Sequence, residues 1–332
     1  MRSLADDLDS LSVLVEQAAE HFQIPVAFVE KDFWAIEILR SATSGRLVTD
    51  RDGSIQEMKM IFKGGTSLSR VFQLIDRFSD DIDLLVVFPD ECSKNARDKV
   101  LKQIAKDVQA HLGIGDEFCK LRDATTGVKR NVRFHYPARQ DQAGNSNGVL
   151  LEMGIRGGNQ PSSRHEIHSL LATYAIEKLG ESESTWAEFA AFSVLVLGPE
   201  RTLFEKLALF HSAATDIDQE RARKALAQSG RHLYDIHQLL HSVDLLTTLR
   251  EMEREGVAKL CVDIRQKSID AEFASTERPS EGYAFSSAFQ PEFELREIMQ
   301  TSYDLACREL IYGATPTFDE CIVTILECAA YL

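Results

Sequence analysis

Two short segments hold residues whose types and spacing could do chemistry. The first is Lys63-Gly64-Gly65-Thr66-Ser67-Leu68, which follows an apolar run from Lys59 to Phe62. Two glycines between a strand and a helix let the backbone approach a phosphate, with helix N–H groups and the Thr66 and Ser67 hydroxyls as donors. The spacing is not that of a Walker A loop, because the lysine precedes the glycines. A plain strand-to-helix turn is the alternative for such a segment on its own. The second segment is Ser79-Asp80-Asp81-Ile82-Asp83-Leu84. Side chains alternate along a strand, so Asp81 and Asp83 share one face, while Ile82 and Leu84 take the other with Asp80 as a capping residue. Two carboxylates in one small space repel unless a cation or strong donors neutralise them. Magnesium suits such a pair, since it takes one or two carboxylates together with substrate phosphates. An exposed acidic strand end is the bland alternative.

Other residues are candidates on context. Lys206 sits on a helix whose Leu203, Leu207 and Phe210 face a core, so its ammonium needs an anionic partner, which a triphosphate would supply. Asp235 lies between Tyr234 and Ile236 on a mainly apolar helix, where a carboxylate is costly without a cation or a functional task. Lys206 and Asp235 could equally pair with each other. Glu152 shares a strand face with Leu150 and Gly154 and is either a site carboxylate or a surface glutamate. Lys99, Lys102 and Lys106 share a helix face, and Lys129, Arg130, Arg133 and Arg139 form a second basic group. Each is a solvated surface or a track for an RNA backbone. Asp50-Arg51-Asp52-Gly53 reads as a hairpin turn rather than a calcium loop. The histidines form no H-E-x-x-H pair.

The elements that must position these groups follow from apolar periodicity. Ala5 to Phe22 and Val29 to Ser41 read as a helical preface. Strands are expected at Lys59 to Phe62, Ile82 to Phe88, Asn131 to Tyr136 and Val149 to Ile155, with helices at Thr66 to Ile75 and Lys94 to Leu112. The breaker cluster Gly157 to Ser163 marks a lobe boundary. Beyond it helices dominate, with one more strand at Phe192 to Leu197, a helix opened by Pro199 and another over Arg231 to His241. A polar loop over 275–290 precedes closing helices near 292–311 and 318–331. The expected domains are 1–160, with preface 1–45 and α/β core 46–160, and a mainly α-helical lobe 161–332.

Composition narrows the class. A chain of 332 residues exceeds what one core usually organises, and 44% hydrophobic with 27% charged residues excludes a disordered chain. No apolar run approaches the roughly 18 residues of a membrane span, and the start turns acidic where a signal peptide would turn apolar, so a cytoplasmic location is expected. The net charge of −15 argues against wholesale coating of nucleic acid, and any polyanion must use a local basic patch or metal ions. Six cysteines without a C-x-x-C pair fit a reducing compartment and give no reason to expect zinc.

A glycine-rich turn, a short helix and then D-x-D on the next strand resemble the nucleotidyltransferase fold of the DNA polymerase β superfamily. Phe62-Lys63-Gly64-Gly65-Thr66-Ser67-Leu68 with Arg77-Phe78-Ser79-Asp80-Asp81-Ile82-Asp83-Leu84 resembles the AbiEii-type toxins of abortive-infection and type IV toxin–antitoxin systems. Val29-Glu30-Lys31-Asp32-Phe33-Trp34 is similar to a helix ahead of the turn in that family, Gly198 to Lys206 resembles its lysine motif, and Arg231-His232-Leu233-Tyr234-Asp235 its final acidic motif. The resemblance runs from Val29 to His241 and leaves 242–332 unassigned.

What it implies is an α/β (α+β) protein with a polymerase β-type core, a helical N-terminal preface and an α-helical C-terminal lobe. The implied reaction is metal-dependent: an acceptor hydroxyl attacks the α-phosphorus of a nucleoside triphosphate and pyrophosphate leaves. Asp81 and Asp83 would be catalytic and hold magnesium, or manganese in its place, with Glu152 as a third metal-side carboxylate. Gly64, Gly65, Thr66, Ser67 and Ser79 would bind the nucleotide, Lys206 would neutralise the triphosphate, and Asp235 would orient an acceptor or Lys206. A cognate antitoxin and an RNA acceptor such as the tRNA 3′ end are the implied partners. Two rivals remain: a nucleotidyltransferase acting on a protein or small molecule, and a non-enzymatic nucleotide-sensing module, against which the intact Asp81-x-Asp83 pair argues.

Overall fold

Leu11, Val15, Ala18 and Ala19 recur at helical spacing and form the buried stripe of α1 (Leu8–Phe22), capped by Asp7, which accepts from the Ser10 N–H at 3.1 Å. In this computed structural model, residues 2–49, 53, 55–78, 81–90, 92–137 and 148–332 are described. The next helix, α2 (Val26–Ala42), is buried on most of its circumference. A hairpin of β1 (Leu47–Thr49) and β2 (Ile55–Glu57) stands as its own two-stranded sheet.

The main sheet has seven strands in the order β5-β6-β7-β4-β3-β9-β8. They are β3 (Lys59–Lys63), β4 (Asp81–Val87), β5 (Cys119–Thr125), β6 (Lys129–Phe134), β7 (Val149–Gly154), β8 (Ser162–Ile167) and β9 (Phe192–Leu197). It is mixed: β4 runs antiparallel to β3 and parallel to β7, while β9 is parallel to β3. Ile82, Leu84, Val132, Phe134, Leu151 and Met153 are buried on one face. Helix α2 packs on β4 and β7, and α4 (Lys94–His111), capped by the Ser93 hydroxyl, packs on β6 with Leu101, Ile104 and Val108 buried.

The chain folds as two compact units. The first is Met1–Thr66, Asp80–Ile155 and Ser162–Val196; the second is Ser67–Ser79, Arg156–Pro161 and Leu197–Leu332. Residues 162–196, read from the breaker cluster as lying past the lobe boundary, group with the first unit, where β9 pairs with β3. They include α5 (Leu170–Leu179), capped by Ser169. The second unit carries α6 (Pro199–Ala214), α7 (Gln219–Ala227), α8 (Gly230–His241), α9 (Val243–Asp270), α10 (Arg296–Leu310) and α11 (Phe318–Glu327). Leu203, Phe204, Leu207, Leu233, Tyr234, Leu239, Phe289 and Ile325 belong to its core.

The helix after the glycines, α3 (Gly64–Arg70), is shorter than the expected span to Ile75. Gln73 takes a left-handed φ of 52°, and the chain then runs extended against the end of α10. Arg77 bridges to Ile311, the Phe78 N–H donates to the Leu310 carbonyl at 2.9 Å, and the Tyr312 N–H donates to the Asp76 carbonyl at 3.1 Å. The last helix likewise stops at Glu327, short of Tyr331. Among the described residues no helix is long and apolar enough to cross a membrane, and all six cysteines are free.

Candidate active site

On β4 the buried Ile82 and Leu84 alternate with Asp81 and Asp83, which face the other way as strand periodicity requires. Register extends this into a row. Asp83 stands opposite Lys63 on β3 and Glu152 on β7, and Glu152 stands opposite Asn131 on β6. Residues directly opposite one another project from the same face, so Lys63, Asp83, Glu152 and Asn131 form one polar line across four strands. Asn131 Nδ2 donates to Glu152 Oε1 at 2.9 Å. The Glu152 carboxyl is pushed up to about 7, first by burial, then by the charges of Asp83 and Asp81 and a hydrogen bond with Asp83, with Lys63 opposing.

The glycine turn abuts this row. Gly64 has a φ of 82°, and a Cβ there would overlap Oδ2 of Asp83 and lie 3.0 Å from its Cγ. Only glycine meets both conditions. Gly65 is buried beside it. The Thr66 hydroxyl donates to the Asp81 carbonyl at 2.6 Å, tying the start of α3 to the start of β4, and Ser67 is fully buried. Both hydroxyls, expected as phosphate donors, are turned into the protein. Ser79 lies outside the described residues, as do Asp80, Arg139 and most of the Asp50-Arg51-Asp52-Gly53 turn.

Among the described residues no group of three or more His, Cys, Asp or Glu side chains is gathered closely enough to hold a metal ion. Asp81 and Asp83, with Glu152 beside them, fit a divalent cation by charge and oxygen chemistry rather than as a preformed cage. Glu152, raised first by burial and then by the charges of Asp83 and Asp81, adds a further oxygen donor next to that pair. Few protein carboxylates suit magnesium, which completes its shell with water and phosphate.

In the second unit the structure joins Lys206 and Asp235. Lys206 Nζ lies 2.8 Å from Asp235 Oδ2, and Asp235 has no exposed surface. A third member was not foreseen: Arg77 donates through Nε to Oδ1 at 2.6 Å and through Nη2 to Oδ2 at 2.8 Å, a bidentate clamp. Burial alone would raise the Asp235 carboxyl, but the charges of Arg77 and Lys206 outweigh it and hold the group well below the usual carboxylate range. Burial, followed by Arg77, pulls the Lys206 ammonium down, against the pull of Asp235. His232, one turn before Asp235, is also pulled well down by burial and by Lys206, and its Nδ1 is buried without a hydrogen-bond partner among the described residues. The sequence signal for Arg77 was its position four residues before Asp81, in a segment otherwise bounded by Ile75 and Phe78. Asn131 could have been found only by knowing that β6 pairs with β7.

The basic groups divide. Lys129 and Arg133 stand opposite Gly154 and Leu150 on β7, on the face of the carboxylate row, and Lys129 pairs with Asp123. Arg130 alternates to the other face, where its charge acts on Asp98 of α4. Lys99, Lys102 and Lys106 are exposed on α4, and Lys102 pairs with Asp98 at 2.7 Å.

No curated protein matches the chain. A family match covers residues 46–323. It begins after the Val29 to Trp34 helix and takes in most of the tail beyond His241, where no motif was recognisable. The matched family is the nucleotidyl transferase AbiEii toxin of type IV toxin–antitoxin systems, and the chain belongs to it as a nucleotidyl transferase.

Proposed function

We propose that the protein transfers a nucleoside monophosphate from a nucleoside triphosphate to a hydroxyl at an RNA end, the tRNA 3′ end being the foremost acceptor, in the bacterial cytoplasm. Family membership implies a triphosphate substrate and an antitoxin partner; magnesium dependence and the RNA acceptor are the proposal. The observation that carries it is the row Lys63, Asp83, Glu152 and Asn131, with Asp81 on the same face and Gly64 against the Asp83 carboxylate.

Asp81 and Asp83 would hold magnesium, or manganese in its place, with Glu152 adjoining. Such a cation, when bound, neutralises negative charge on the phosphates and on the attacking and leaving oxygens. In the transfer the acceptor oxygen bonds to the α-phosphorus, the bond from that phosphorus to the bridging oxygen breaks, pyrophosphate leaves, and the hydroxyl proton passes to solvent or a carboxylate. Gly64 and Gly65 leave room for phosphate to approach the backbone. Thr66 keeps the turn and β4 in register through the Asp81 carbonyl. Lys206 counters triphosphate charge. Asp235, whose two oxygens are taken by Arg77 and Lys206, acts on Lys206 rather than on the acceptor. Lys129 and Arg133, on the face of the carboxylates, would meet RNA phosphates.

Incubation with total RNA, each labelled triphosphate and magnesium tests the reading. Label is expected on RNA, and label on protein or on neither would overturn the acceptor assignment. Reversal of Lys129 and Arg133 to Glu should reduce RNA labelling and flatten its log–log salt dependence by about one unit per lost contact. Reversal of Lys99 and Lys106 on α4 should leave it unchanged.

A further inference from the structure

The ammonium of Lys206 meets one anion among the described residues, the Asp235 carboxylate. It does not have that anion to itself. Arg77 occupies both carboxylate oxygens, and its Nη2 shares Oδ2 with Lys206. Arg77 is itself held in place: it is 3% exposed, its Nη1 donates to the Phe78 carbonyl at 3.0 Å, and its backbone bridges to Ile311. One residue earlier, the Asp76 N–H donates to the Tyr234 hydroxyl at 3.2 Å, so neighbouring residues of one segment grip α8 at Tyr234 and Asp235.

We infer that Arg77 is a positioning residue of the transferase: by clamping both oxygens of Asp235, it fixes the carboxylate that orients Lys206 and prevents a one-to-one ion pair that would neutralise the ammonium. The inference rests on the triphosphate reading of Lys206. An ammonium has three donors, and a carboxylate shared with a guanidinium engages only part of its charge, leaving the rest for phosphate oxygens. Without Arg77, Asp235 would no longer be shared, and its contact with Lys206 would become a closed one-to-one pair. Among the described residues, Asp235, Arg231 and His232 from α8 and Arg77 from the segment after α3 act on Lys206. Burial lowers the Lys206 titration most, Asp235 draws it up against that, and Arg77 and Arg231 push it further down.

The test uses the full chain with Arg77→Ala and Arg77→Lys, with Arg77→Gln in reserve should the alanine variant not fold. Lys206 is followed by NMR in nucleotide-free, 13C-lysine-labelled protein, its resonance identified by its loss in Lys206→Arg. Binding of ATP, CTP, GTP and UTP with magnesium is measured by calorimetry. Arg77→Ala is expected to move the Lys206 titration to higher pH and to weaken binding of the preferred triphosphate by about tenfold. Arg77→Lys, which keeps the charge but loses the fork, should hold the Lys206 titration close to wild type and weaken triphosphate binding by less than Arg77→Ala does. If Arg77→Ala lowers the melting temperature while Lys206 titrates as in wild type, Arg77 is a structural clamp and the inference fails. If wild type binds no triphosphate, the functional reading fails with it, and the nucleotide-free titration still shows whether Arg77 governs Lys206.

Discussion

The Asp83 carboxylate fills the space that a side chain on Gly64 would need, so the glycine turn and the acidic strand are fitted closely to each other at this point. Gly64→Ala should cost roughly 1–3 kcal/mol for a left-handed alanine and displace Asp83 besides. The expected result is a folded protein with a lowered melting temperature and little transferase activity. Full turnover per folded molecule would show that the contact does not matter to the site.

Asp83→Asn should abolish transfer without lowering the melting temperature of the metal-free protein, because it removes one of the carboxylates that repel each other around Glu152. Magnesium with a triphosphate should raise the wild-type melting temperature and not that of the variant. An equal rise in both would remove Asp83 from the metal-binding set.

The Glu152 carboxyl, up at about 7 from an ordinary value of 4.5, gives a stability dependence of defined sign. The folded state holds this proton more tightly than the unfolded chain. Its stabilising contribution is complete below pH about 4.5 and is lost as pH rises to about 7. In chelator, wild type should lose stability over that window relative to Glu152→Gln, and magnesium should restore it most at the alkaline end. Parallel melting curves for the two proteins would refute the shift.

The two members of the buried ion pair should not respond alike. Lys206→Ala leaves Asp235 clamped by Arg77, so the fold should tolerate it while triphosphate binding falls. Asp235→Ala strands two buried cations and should cost about 3–5 kcal/mol. A Lys206→Ala/Asp235→Ala double variant should recover only part of that, since Arg77 remains unmatched. Denaturant melts of the three proteins decide it; full recovery in the double variant would mean that Arg77 contributes nothing.

Much of the site could be read from the sequence because it depends on local periodicity. Alternation alone placed Asp81 and Asp83 on one face, and the apolar residues around Lys206 and Asp235 announced buried charges. What could not be read depends on partners distant in the chain. Glu152 becomes a neighbour of Asp83 only through the parallel pairing of β7 with β4, and Arg77 reaches Asp235 across 158 positions of sequence. Edge strands are hard to read for another reason: β5 is exposed along nearly its whole length, so it has no apolar face to alternate. The helix after the glycines ends before its apolar pattern does: Leu74 and Ile75 continue the pattern, but the left-handed Gln73 interrupts it. Residue type alone suggests phosphate donors in Thr66 and Ser67, whereas the direction of their hydroxyls depends on packing that residue type does not carry.

Residues 67–79 fold with 197–332, although they lie between the glycine turn and the Asp81-x-Asp83 strand. A premature stop codon before Leu310 would therefore spare every codon from Lys63 to Asp83 and still remove the backbone partners of Asp76 and Phe78. The core that holds Leu68 and Ile75 would lose Phe318, Cys321, Ile322, Ile325 and Leu332. Shortened copies of such a gene should therefore keep the glycine turn and the Asp81-x-Asp83 strand intact in sequence while losing the packing that holds residues 67–79. An intact motif in a shortened homologue is accordingly no sign of a living enzyme.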